Sequence, residues 1–272
     1  MRRGALFLLL PLLLSCSQPH RELRVCADPN NLPFSNRAGQ GFENRLASLI
    51  AADLGATIRY TWWAQRRGNV RETLNAGLCD LIPGVGAGLE MLATTRPYYN
   101  SSYVAVTRAD RRLRIAGFDD PRLRSLRIGV QMIGDDFSNT PPAHALARRG
   151  LIDNVRGYMV YGDYAQPAPQ APIIAAVASG EVDVAFVWGP VAGYFAGRQR
   201  TPLSLTRLPE QDRLAELPMA FGVGVGVRRS DRTLKRDVEQ ILERRGPEIR
   251  RILAAYHVPT VATAPPPPED DD

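Results

Sequence analysis

Leu23-Arg24-Val25-Cys26-Ala27 is a short apolar, β-branched run, and Phe42–Leu54 follows it with Leu46, Leu49, Ile50 and Leu54 on one helical face. That pairing predicts a strand and then an amphipathic helix, stopped by Gly55. Ile58–Trp62 alternates as a second strand, and Val70–Leu78 reads as a helix ending at Gly77. Cys79–Val85 completes the unit as a third strand. A β-α-β-α-β order implies a parallel sheet with helices on both faces.

A second unit of the same kind starts near Leu126. Leu126–Gln131, Gly157–Tyr161 and Asp183–Val187 read as strands. Pro141–Arg149 reads as a helix with Thr140 as N-cap and Pro141 at its first position, and Ile173–Ser179 as another helix. Between the units Ser102–Arg108 is an extended apolar crossover, and Ala220–Val227 is its counterpart after the second unit. A helical pair, Leu234–Glu243 and Pro247–His257, follows. The chain therefore leaves a first lobe, builds a second and returns, which describes a hinge with a cleft. Residues 22–106 and 221–258 are assigned to lobe 1, and residues 107–220 to lobe 2. Residues 260–272 run into Pro265–Pro268 and four acidic residues, a composition that predicts an extended, disordered tail.

The start of the chain speaks to compartment. Met1-Arg2-Arg3 precedes an apolar run, Ala5–Leu14, too short for a bilayer span but suited to a signal peptide over residues 1–16. Leu13-Leu14-Ser15-Cys16 resembles a bacterial lipobox, which implies an acylated Cys16; the other reading is an ordinary cleaved signal. Either places the protein in the periplasm, with membrane contact only through a lipid anchor. Cys26 and Cys79 remain as an even pair at the edges of two predicted strands. They can bridge if those strands are neighbours, or stay as buried thiols. The net charge of +6 is almost all arginine, with Lys235 the sole lysine. The arginines are interleaved with acidic residues, which argues against nucleic acid and for a solvated surface facing an acidic protein.

Catalytic signatures are absent. His20, His144 and His257 are far apart, and no P-loop, Gly-x-Ser-x-Gly or His-Glu-x-x-His occurs. Gly222-x-Gly224-x-Gly226 lacks dinucleotide spacing and suits a hinge strand. The expectation is a non-enzyme with no cofactor and no metal.

Arg24–Pro29 with Leu32-Pro33-Phe34, then Gly41-Phe42-Glu43 and Leu54-Gly55, resembles the opening of type II periplasmic solute-binding proteins. Thr95-Arg96-Pro97-Tyr98-Tyr99 matches the segment where that family's chain reaches the cleft. The resemblance runs from Leu23 to Pro259 and implies a two-lobed α/β fold, each lobe a mostly parallel sheet flanked by helices. Five segments are similar to a narrower group, the MxaJ/XoxJ-type accessory proteins of quinoprotein alcohol dehydrogenases. They are Cys26–Asn36, Tyr60–Gly68, Leu74–Asp80, Thr94–Tyr99 and Asn139–Leu146. That similarity implies support of a periplasmic, pyrroloquinoline-quinone-dependent methanol dehydrogenase. The alternative is a transport receptor for a small solute such as the quinone or a metal chelate.

Amino-acid receptors of this fold hold the ligand carboxylate with an arginine after the third strand and its amine with an aspartate at the end of a lobe 2 strand. Gly84–Met91 has no arginine, and the resemblance puts Trp188 in the aspartate's place. No directional charge pair remains for a free amino acid. Asp28, Asn31, Phe34, Trp63, Tyr98, Tyr99 and Trp188 become the candidate cleft residues for a large ligand or a partner segment. Asp135 and Asp136, before the Pro141 helix, oppose an anion there and suit a cation or a partner's arginine. With Asp163 they also raise the question of a metal, against the default of a solvated loop.

Overall fold

The computed structural model describes residues 21–133 and 139–262. Cys16, the segment read as a signal peptide, Asp135, Asp136 and the tail beyond Ala262 lie outside them. Among the described residues there are nine strands of five residues or more: β1 (Arg21–Ala27), β2 (Ala56–Trp62), β3 (Leu81–Gly86), β4 (Tyr99–Arg108), β5 (Ile128–Met132), β6 (Val155–Met159), β7 (Val184–Trp188), β8 (Leu203–Arg207) and β9 (Ala220–Val227). Seven helices accompany them: α1 (Phe42–Asp53), α2 (Asn69–Glu72), α3 (Pro141–Ala147), α4 (Pro172–Ser179), α5 (Gly189–Ala196), α6 (Arg232–Arg244) and α7 (Gly246–Ala255).

One path of strands runs β2-β1-β3-β9-β4-β7-β5-β6, with β8 on β4 and Ala93–Thr94 on β9. Within each lobe the pairs β1–β2, β1–β3, β5–β6 and β5–β7 are parallel. The two connecting strands run antiparallel to their neighbours. The long strand β4 joins the halves: Tyr99–Ser102 pair with β9, whereas Tyr103–Arg108 pair with β7 and β8. This is the two-lobed type II periplasmic binding-protein fold.

Both lobes carry the same clamp at their base. Arg24, in β1, donates its amide and side chain to Asp80, just before β3. Arg127, just before β5, does the same to Asp183, just before β7, at the same separation of 56 residues. Its arginine partners hold the Asp183 carboxyl well below the usual range. A left-handed glycine, Gly77 in one lobe and Gly180 in the other, ends the helix or turn before each aspartate. The clamp thus fixes where the last strand of each unit enters its sheet.

Cys26 and Cys79 form a disulfide with their Cα atoms 5.5 Å apart, beneath a small cluster of Leu74, Ile82, Val85 and Leu92. The α1 entry is shaped by backbone contact. A Cβ on Gly41 would lie 1.9 Å from the Phe34 carbonyl oxygen, so only glycine fits. The Phe42 and Glu43 amides donate to the Pro33 and Phe34 carbonyls, which satisfies donors that a helix start leaves open.

Three elements differ from the sequence expectation. The helix expected over Val70–Leu78 is regular only over Asn69–Glu72. Thr73 donates its hydroxyl back to the Asn69 carbonyl, and the Leu78 amide reaches the Thr73 carbonyl, so the chain widens into a turn. Conversely α5 and β8 were not anticipated. Proline in its first turn opens α5. A Cβ on Gly193 would lie 1.9 Å from the His257 carbonyl oxygen, so the helix packs flush against the C-terminal segment.

Candidate functional site

The loop after β1 carries Asp28 to the top of lobe 1, where it is fully buried. Its carboxylate accepts from the Asn30 amide at 2.8 Å and the Gln65 amide at 2.7 Å. A third donor comes from the other lobe, the Tyr164 hydroxyl. Burial and then the bond to Asp28 hold the Tyr164 phenol above its ordinary pKa, so it stays a donor at neutral pH.

The same loop makes a polar seam between the lobes. Asn30 donates its side-chain amide to the Tyr164 carbonyl at 3.2 Å and the Gln166 carbonyl at 2.8 Å. The Gln170 amide donates to Asn31 Oδ1, and Asn31 donates to Gln65 Oε1 at 3.1 Å. Gln170 in turn accepts from buried Gln131, which takes the Trp188 backbone amide at 2.8 Å. The guanidinium of Arg66 lies 4.7 Å from the ring centre of Tyr164 and 5.7 Å from that of Tyr161. A chain of amides and one carboxylate therefore runs from the core of lobe 2 to the β1 loop of lobe 1. Connected networks of this kind specify one arrangement when every member is satisfied.

The aromatic candidates separate into different environments. Phe34 sits against Phe42 with ring centres 5.5 Å apart. Tyr99 is buried and meets Phe42 and Tyr98 at 6.0 and 5.0 Å. Trp188 is wedged between the hinge strands, against Tyr103 at 5.3 Å and Phe221 at 6.0 Å. Trp63 alone of these stays exposed, at 43%, on the lobe 1 side next to the Gln65–Arg66 rim. Asp163 closes a local turn by accepting from the Ala165 amide, and no acidic, cysteine or histidine cluster suited to a metal occurs among the described residues. Asp28 and Asn31 meet in the seam; Tyr98, Tyr99 and Trp188 lie behind it in packed surroundings.

Under the seam lies a buried acid that the sequence reading did not single out. Glu43, in the first turn of α1, is 2% exposed and its Oε2 has no hydrogen-bond partner. Burial first, and then the nearby Asp28 carboxylate, push its pKa well above the usual glutamate value. The folded state keeps Glu43 protonated while the unfolded chain ionises, so its contribution is fully present below the unfolded pKa and falls as pH rises beyond it. Glu43→Gln is therefore expected to be more stable than the parent at pH 7 than at pH 4. The gap should widen by at most about 1.4 kcal/mol per pH unit, as read from urea unfolding across that range. A gap independent of pH would contradict a neutral Glu43.

Space in the seam is small. A cavity of about 100 Å³ remains beside Gln131, Tyr158 and Gln170, well below the ~300–1,000 Å³ of small-molecule pockets. A larger cavity, about 910 Å³, lies on the flank of the hinge between Phe221 of β9, Pro218 just before it and helices α6 and α7.

No family model matches the chain. It is similar to Protein MoxJ of Methylorubrum extorquens, 31% identical over 251 residues, which cover 88% of this chain and 81% of that protein. Protein MoxJ of Paracoccus denitrificans is also 31% identical, over 257 residues covering 89% of this chain and 90% of that protein. Among solved structures, the periplasmic binding protein XoxJ from Methylobacterium extorquens AM1 superposes with a TM-score of 0.72. It is 35% identical, and the match covers 89% of this chain and all of that one.

Proposed function

The chain belongs to the family of Protein MoxJ and the periplasmic binding protein XoxJ, and on that premise we propose that it is a non-catalytic accessory protein engaging a periplasmic quinoprotein alcohol dehydrogenase. The seam carries this reading. Where a receptor of this fold would take a solute, Asp28 is already used by the Asn30, Gln65 and Tyr164 donors, and Asn31 by Gln170. The remaining cavity is water-sized to a few waters. A protein partner needs no such cavity; it needs an exposed anchor and complementary charge. Trp63, beside Arg66 and Arg67, supplies both on the rim of lobe 1. Engagement there assists maturation or activation of the enzyme, and an acylated Cys16 would hold the pair at a membrane surface.

Native mass spectrometry of the protein released from its own periplasm tests this. The expected spectrum shows the chain without a stoichiometric small molecule and, in part, in complex with the dehydrogenase. A stoichiometric solute such as the quinone would instead favour a transport receptor.

A further inference from the structure

We propose that the acidic C-terminal tail, residues 263–272, docks back onto its own chain along α6, over the flank cavity and onto a cationic groove beyond it. Val261 and Ala262 line the 910 Å³ cavity, and the Val261 amide is held by the Asn100 carbonyl, so the chain is aimed into it. The cavity offers Pro97, Tyr98, Phe221 and Leu242, surfaces that suit a proline run. It also carries Glu210, Glu239 and Glu243 against two arginines, Arg250 and the Arg96 that pairs with Glu243, so its lining leans acidic and suits prolines better than carboxylates. Glu239 lines a second groove as well, of about 730 Å³, where Arg229, Arg232, Lys235 and Arg236 gather. Lys235 pairs with Glu239, whereas none of the three arginines pairs with a described carboxylate. These cations surround the N-terminal turn of α6, where the helix dipole adds positive potential.

The register fits. The 13 residues of α6 span about 20 Å. The seven steps from Ala262 to Glu269 span about 22 Å at the polyproline rise. Pro265–Pro268 then cross the apolar cavity, and Glu269-Asp270-Asp271-Asp272 arrive at the arginines. The tail would thereby shield the patch that otherwise invites an acidic protein. This inference is independent of which partner the rim of lobe 1 engages.

The test compares the full chain, a chain ending at Ala262, and a full chain with Glu269→Gln, Asp270→Asn, Asp271→Asn and Asp272→Asn. Amide hydrogen exchange over residues 92–96 and 229–236 should be at least about tenfold slower in the parent than in the other two. A synthetic peptide of residues 259–272 should bind the shortened chain and be excluded from the parent by more than about tenfold, because the tethered tail competes at high effective concentration. Equal exchange in all three proteins, or equal peptide binding by parent and shortened chain, overturns the proposal. So does light scattering that shows an acid-dependent dimer, since the tail would then serve a second copy.

Discussion

Asp28→Ala is expected to unlock the two lobes and to destabilise the protein by about 3 kcal/mol, roughly 1 kcal/mol for each of three lost hydrogen bonds. The position is fully buried, so the Asn30 amide, the Gln65 amide and the Tyr164 hydroxyl lose their acceptor without gaining water in the closed state. Opening the seam is the route by which those donors find water. Small-angle scattering should therefore report a larger radius of gyration for the variant. Tyr164→Phe is the control, because of the three bonds to Asp28 it removes only the one from the other lobe and leaves the Asn30 and Gln65 amides satisfied. It should cost about 1 kcal/mol and expand the molecule while changing the local stability of lobe 1 little. Unchanged scattering in both variants would mean that the hinge strands, not the seam, hold the lobes together.

Removing the disulfide is expected to cost more. Cys26 and Cys79 close a loop with a sequence separation of 53 residues, and the chain-entropy relation gives about 4 kcal/mol for a loop of that size. Both sulfurs sit in a packed cluster, so a double Cys→Ala variant also leaves small cavities that add to the loss. Urea unfolding of the variant against the oxidised parent measures it, and a difference under about 1 kcal/mol would contradict the entropic account. The bridge joins the end of β1, which leads directly into Asp28, to the segment just before β3, so weakening it should also loosen the seam.

The fold was largely legible because its periodicities are strong. Leu46, Leu49, Ile50 and Leu54 announce α1, and β9 occupies the expected Ala220–Val227. What escaped was set by contacts distant in sequence. Gly189 and Gly193 of α5, and Gly197 just after it, let the helix lie flush against His257 and Pro259, a contact that no local pattern announces. Asp28 and Asn31 were proposed from the sequence as cleft residues. Their partners Tyr164 and Gln170 were not, because they lie in an aperiodic loop more than 130 residues away. The only hint was the tyrosine density of Tyr161-Gly162-Asp163-Tyr164. Tyr99 could not be told from a cleft aromatic by sequence, since an inward and an outward tyrosine look alike until the sheet places them. The same holds for Glu43, whose burial beside Asp28 depends on how α1 lies against β3.

The proposed engagement of a dehydrogenase is tested most directly by titrating the chain into the purified periplasmic quinoprotein dehydrogenase of its own source, in both apo and quinone-loaded forms, and reading binding by calorimetry. A complex at micromolar or tighter affinity is expected with at least one form, weakened at least about thirtyfold by Trp63→Ala, the effect of losing a central aromatic anchor. Absence of binding to either form at micromolar protein would contradict the account.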